Sequence, residues 1–187
     1  MSFQILLIQE DPKYNGYIVK PLIEKMLKEL GKSSAKLKTF ESSYIRGYEN
    51  VKKEIPSIIE RYRHYNLFLF LPDADGKDKT KEFLQMKKKA NKIDTNLICC
   101  AAKEEIEVWL LAGHLDKLED NWETIRNDVQ VKENILEPFL IQHGDKSAGG
   151  GRERLMEETL KNYNGLLTRC PELKDLQEQI RETINQN

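Results

Sequence analysis

FLFLPDADGKD, residues 68–78, carries an uninterrupted apolar run straight into two aspartates one residue apart, followed by a glycine. A short apolar run bounded by turn-forming residues suits a strand buried on both faces. Such strands belong to parallel sheets covered by helices, so the run predicts an α/β fold. The acids that follow then lie past the strand's C-terminal end, the edge along which open α/β sheets bind ligands.

The same alternation continues on either side. Residues 3–8 and 97–102 (LICCAA) predict two more buried strands, and residues 35–40 a half-buried strand nearer an edge, its small or apolar residues alternating with lysines. Residues 17–30 place Ile18, Leu22, Ile23, Met26, Leu27 and Leu30 at helical spacing, with Gly31 as the stop. Residues 48–62 predict a weaker helix interrupted by Pro56, residues 77–90 a strongly basic helix, and residues 104–111 a helix stopped by Gly113. From Leu115 the pattern becomes helical: residues 118–143, then the glycine-rich break GDKSAGGGRER at 144–154. A long amphipathic helix follows, carrying Leu155, Met156, Leu160, Tyr163 and Leu166, and Cys170-Pro171 opens a last helix to about Ile184. The expected architecture is a mainly parallel, Rossmann-like sheet with helices on both faces (residues 1–114) and a helical extension (residues 115–187) packed on it.

A chain of 187 residues can bury a sizeable core. Its 30 Lys and Arg balance 31 Asp and Glu, so no global basic field draws it to nucleic acid and any such contact must come from a local patch. Cys99, Cys100 and Cys170 have no metal-ligand spacing and read as reduced core thiols. His64, His114 and His143 show neither metal nor triad spacing, and Trp109 and Trp122 read as packing residues. No apolar stretch approaches the roughly 18 residues of a membrane helix. The opening residues lack a basic region and a cleavage site, so a cytoplasmic location is expected.

Three strands end in acids: Glu10 and Asp11 after the first, Asp73 and Asp75 after the central one, and Glu104, Glu105 and Glu107 after the last. Gathered carboxylates raise one another's pKa unless a positive charge sits among them. A hard divalent cation, Mg²⁺ or Mn²⁺, meets that need with oxygen ligands. The competing account is a solvated turn in which Asp75 or Asp78 caps the next helix.

These acids, on strands so arranged, resemble the topoisomerase–primase (Toprim) family. There a glutamate follows the first strand, an Asp-x-Asp follows a later one, and the group binds Mg²⁺ for phosphoryl-transfer or strand-cleavage chemistry. By this resemblance Glu10 is the general acid or base and a metal ligand, and Asp73 and Asp75 are metal ligands. Asp11-Pro12 stands where the family usually has a glycine. AAKEEIEVWLLAG (residues 101–113) and GGGRERLMEETLKNYNGLLTRCPEL (residues 149–173) are similar to segments of Toprim-like bacterial proteins of defence and mobile elements, related to OLD-type nucleases. The resemblance adds Glu107, or alternatively Glu105, as a further ligand; the competing reading is an acid at a helix's first turn. The expected activity is Mg²⁺-dependent cleavage of a nucleic-acid phosphodiester.

A second resemblance is to response-regulator receiver domains, with Glu10 and Asp11 as the acidic pair and Asp73 as phosphate acceptor. Ala101-Ala102 stands where that family has a Ser or Thr, and no lysine ends a fifth strand. A non-catalytic Mg²⁺-binding or interaction protein is the related alternative, and a partner protein or a homodimer stays open. For contact with a phosphate backbone the candidates are Lys77 and Lys79, nearest the acidic edge of a helix that also carries Lys81, Lys87, Lys88 and Lys89, and Lys146, Arg152 and Arg154 around the glycines. A charged solvent face and an unliganded loop are the plain alternatives.

Overall fold

A computed structural model describes residues 2–42 and 44–186 of the chain; the terminal residues of the two expected ranges, Met1 and Asn187, lie outside it. It is an α/β structure built on one four-stranded parallel sheet: β1 (Gln4–Ile8), β2 (Lys36–Thr39), β3 (Leu67–Phe70) and β4 (Leu97–Cys99), in the order β2-β1-β3-β4. The last expected strand is shorter than its apolar run. Past Cys99, among the described residues, one isolated bridge, Asp73 with Ala102, extends the pairing, and it brings the acid-bearing loop onto the following segment.

Alternate residues of β1 and β3 serve two cores, as the period of a strand requires. Ile5, Leu7, Leu67 and Leu69 pack with α1 (Gly16–Glu29), α4 (Glu107–Leu111) and the C-terminal helices α7 (Arg152–Leu160), α8 (Tyr163–Arg169) and α9 (Pro171–Gln186). Leu6, Ile8, Phe68 and Phe70 pack with α2 (Tyr48–Arg61) and α3 (Thr80–Asn91). Leu155, Met156, Leu166, Leu173 and Leu176 belong to the same apolar cluster as the sheet residues, so the C-terminal helices complete the first core.

Several local expectations are corrected. Pro56 does not interrupt α2, which runs unbroken from Tyr48 to Arg61. The proline lies on the exposed face while Val51, Ile55, Ile58 and Ile59 hold the helix to the sheet, so burial outweighs one missing N–H. The helix expected over 118–143 is broken into α5 (Trp122–Arg126), a π turn (Lys132–Leu136) and α6 (Glu137–His143). The long amphipathic helix is two, because Asn162 leaves the helical region and its side chain caps α8 by accepting the Gly165 N–H at 3.1 Å.

Gly113 has a different reason from the one its sequence position suggests. A Cβ there would stand 2.2 Å from Thr159 Oγ1 and 2.6 Å from Thr159 Cα. Thr159 is locked in place, its hydroxyl donating to the Leu110 carbonyl at 2.8 Å. The glycine is a point of close contact between the end of α4 and the backbone of α7. Gly113→Ala is therefore expected to destabilise the protein by about 1–3 kcal/mol through overpacking, measured as a lower midpoint in urea at unchanged slope.

Candidate functional site

The chain order explains where the acids meet. From β1 it passes through α1 on one face to β2, then returns through α2 on the other face to β3, on the far side of β1. The winding reverses between β1 and β3, the position at which open α/β sheets form a ligand crevice at the strands' C-terminal ends. Glu10 and Asp73 stand there. The Asp73 N–H donates to Glu10 Oε1 at 3.1 Å, joining segments 63 residues apart. Asp73 Oδ1 accepts the Ile106 N–H at 2.7 Å, which fastens the β3 loop to the start of α4. Glu107, the first residue of α4, is buried beside them at 3% exposure.

The loop after β3 is a tight turn. Ala74 accepts the Lys77 N–H at 3.1 Å, and the two residues between, Asp75 (φ 52°) and Gly76 (φ 67°), are both left-handed. Asp-Gly is the pair such a turn prefers. Glu104 holds it shut: its carbonyl accepts the N–H groups of Ala74 (2.8 Å) and Asp75 (3.0 Å), and its carboxylate accepts that of Gly76 at 2.6 Å. Glu104 is 5% exposed and itself left-handed, at φ 60°. The strand-end acids that sequence reasoning singled out as ligands left this one unassigned; its only signal was its place beside Glu105 and Glu107.

Lys79, expected to meet a phosphate backbone, points inward. Its ammonium donates to the Asp73 carbonyl, lies 3.6 Å from Asp75 Oδ2, and sits 3.6 Å above the Tyr48 ring centroid. Tyr48 in turn stacks on Phe70 and donates to Glu82 at 2.7 Å. Asp78 accepts the Thr80 N–H at 2.9 Å and so caps the start of α3. Asp11 turns to its own loop, accepting the Lys13 N–H at 3.0 Å. Glu105 accepts the Lys132 N–H at 2.8 Å.

Crowding of acids in a dry place has the expected electrostatic result. Burial, aided chiefly by the charge of Glu107, raises the Asp73 carboxyl from its ordinary 3.8 to about 8, against the pull of the Ile106 N–H. Burial also raises Glu10, with Lys79 opposing, and raises Glu107, with its own N–H, Lys132 and Arg152 opposing. Glu105 is pushed to about 7, again mainly by burial. Among the described residues, no three His, Cys, Asp or Glu side chains stand together as a ready ligand set for a metal ion.

The other expected cations are dispersed. Lys77 and Lys146 are exposed, Lys87 ties α3 to Gln179 of α9 at 2.6 Å, and Arg154 is engaged by Asp145, Glu158 and the His143 carbonyl. Arg152 is buried and donates to the Gly149 carbonyl at 2.8 Å. Cys99, Cys100 and Cys170 are free and buried, which pushes their thiols up. Among the described residues no helix is long and apolar enough to cross a membrane. No protein-family model, curated protein or solved structure matches the chain.

Two outcomes test this geometry. Glu104→Ala leaves the Gly76 N–H without its acceptor and should cost about 1–3 kcal/mol in urea unfolding. Asp73 binds its proton more tightly folded than unfolded, so its contribution to stability falls as pH rises from about 4 to about 8. Asp73→Asn keeps an oxygen for the Ile106 N–H and removes the charge. In chelator-treated protein it should match the parent near pH 4 and be more stable by on the order of 1–3 kcal/mol at pH 8; equal stability at pH 8 refutes the shift.

Proposed function

We propose that the chain is a Toprim-like hydrolase that cleaves nucleic-acid phosphodiester bonds with Mg²⁺ or Mn²⁺ at the Glu10–Asp73 crevice. The observation that carries this reading is the meeting of Glu10 and Asp73 across the point where the sheet's winding reverses. The donor set fits the ion: Mg²⁺ is commonly held by one or two carboxylates and keeps waters for the substrate phosphate. Glu10 and Asp73 would hold it, with Asp75 and Glu107 as neighbouring charges, both of which raise the Asp73 pKa.

When bound, such an ion polarises a phosphate and makes its water acidic. The chain's residues do the rest. Asp73 must give up its proton to act as a ligand, so occupancy should rise with pH through about 8. Glu10, its carboxyl raised by burial against the pull of Lys79, is the residue placed to move a proton. Lys77, on the exposed turn beside Asp75, is the cation best set to meet a phosphate backbone.

A second reading has its own support. The order β2-β1-β3-β4 matches the first four strands of flavodoxin-like sheets, among which receiver domains number, and the ammonium of Lys79 already accompanies Asp75. On that reading the acids bind Mg²⁺ or a partner without cleavage, and Asp73 takes a phosphoryl group. Incubation with supercoiled plasmid and with RNA separates the two. Cleavage that needs Mg²⁺ or Mn²⁺ and falls at least about 100-fold in Asp73→Asn and Glu10→Gln is expected. Metal binding with no cleavage, together with labelling of Asp73 by acetyl phosphate, overturns it.

A further inference from the structure

Three buried side-chain atoms lack a hydrogen-bond partner among the described residues: Gln9 Oε1, Gln9 Nε2 and Arg152 Nε. Gln9 is 2% exposed and Arg152 9%. Buried polar groups are nearly always paired, and each exception calls for a cause. All three border the same short segment at the start of α1. Gln9 Oε1 lies 3.9 Å from where a Cβ on Gly16 would stand, and the Arg152 guanidinium carbon lies 5.1 Å from the Tyr14 ring centroid.

We infer that the segment 14–17 and the glycine turn 149–151 enclose a binding site for a phosphate group, recognised by Arg152 and Gln9. Tyr17 presses so closely on the turn that a Cβ on Gly149 would come 2.5 Å from its ring, which sets the first turns of α1 and α7 side by side. Helix N-termini attract anions, and neither of these is capped by a side chain. The first turn of α1 contains no acid, whereas that of α7 has Glu153. Gly149, Gly150 and Gly151 are all left-handed, and the step from Gly151 (φ 86°, ψ 0°) to Arg152 (φ −56°, ψ −42°) is the left-then-right pairing that turns successive N–H groups toward an anion.

The unpaired atoms specify the ligand. Arg152 Nε and Gln9 Nε2 offer donors, while Gln9 Oε1 needs one. Hydrogen phosphate, or a phosphate monoester bearing one proton, presents acceptor oxygens and a single O–H; sulfate presents acceptors alone. Tyr14, 39% exposed, lies over the guanidinium at the outer side of the site. The site goes beyond the cleavage reading, since it uses neither Glu10 nor Asp73 and is read by binding, not turnover.

Titration calorimetry of the full chain with sodium phosphate, at ionic strength matched by sodium chloride, tests it. Saturable binding with Kd on the order of 1 mM is expected, weaker for sulfate, at least 10-fold weaker in Arg152→Met and Gln9→Leu, and unchanged in Lys92→Ala. AMP in place of phosphate distinguishes a monoester from the free ion: equal or tighter binding assigns the monoester, loss of binding the free ion. Absence of saturable binding, or parent-like affinity in Arg152→Met, overturns the site. Should that variant not fold, amide shifts in the parent decide: Gly149, Gly150 and Gly151 must move saturably with phosphate, and unmoved resonances overturn it.

Discussion

Glu104 holds the acidic crevice in shape. Its carbonyl and carboxylate between them accept three consecutive N–H groups from the turn after β3, and it does so from a left-handed backbone that a residue with a Cβ adopts only at a cost. Without it the Asp75 and Gly76 amides would lose their acceptors and Ala74 would keep only the Ala102 carbonyl, at 3.1 Å. With it, Asp73 is aimed at Ile106 and Glu10, and α4 begins where its first residue adds another buried carboxyl. The strained residue is thus the bond between the third strand and the helix that follows the fourth.

That arrangement concentrates negative charge where water is scarce. A buried carboxylate is costly, and the protein meets the cost in two ways. Asp73 keeps its proton to about pH 8, and Lys79 is drawn against the Tyr48 ring, where its ammonium donates to the Asp73 carbonyl and its charge favours the Glu10 carboxylate. The cation that sequence position offered to a ligand is spent inside the fold. Arg152 has a related place: its charge acts on Glu107 while part of its guanidinium goes unpaired. The C-terminal helices therefore do more than complete the apolar core beneath α1 and α4, because α7 also carries a positive charge toward the acid-bearing edge.

Much of the architecture was legible in the residues. ILLI and LFLF are apolar without interruption because both faces of those strands are covered, as a helix-clad parallel sheet covers them. Gln9 escaped notice because an amide at a strand end has no sequence signal; only its lack of partners marks it. Pro56 misled for the opposite reason, since a residue that breaks an isolated helix is tolerated when the face opposite it is clamped by four apolar side chains. Asn162 and Glu104 act through backbone angles and long-range acceptors, to which periodicity is blind.

By itself the sequence determined the α/β class, the parallel strands and the presence of acids beyond three of them, because burial period and chain direction are local properties. Which acids meet was decided by the tertiary structure: the order β2-β1-β3-β4 brings Glu10 to Asp73, turns Glu104 into a clamp and Lys79 inward, and leaves Asp11 with its own loop. Those outcomes rest on contacts between distant segments and on how much water each contact excludes, and neither quantity exists until the chain has folded.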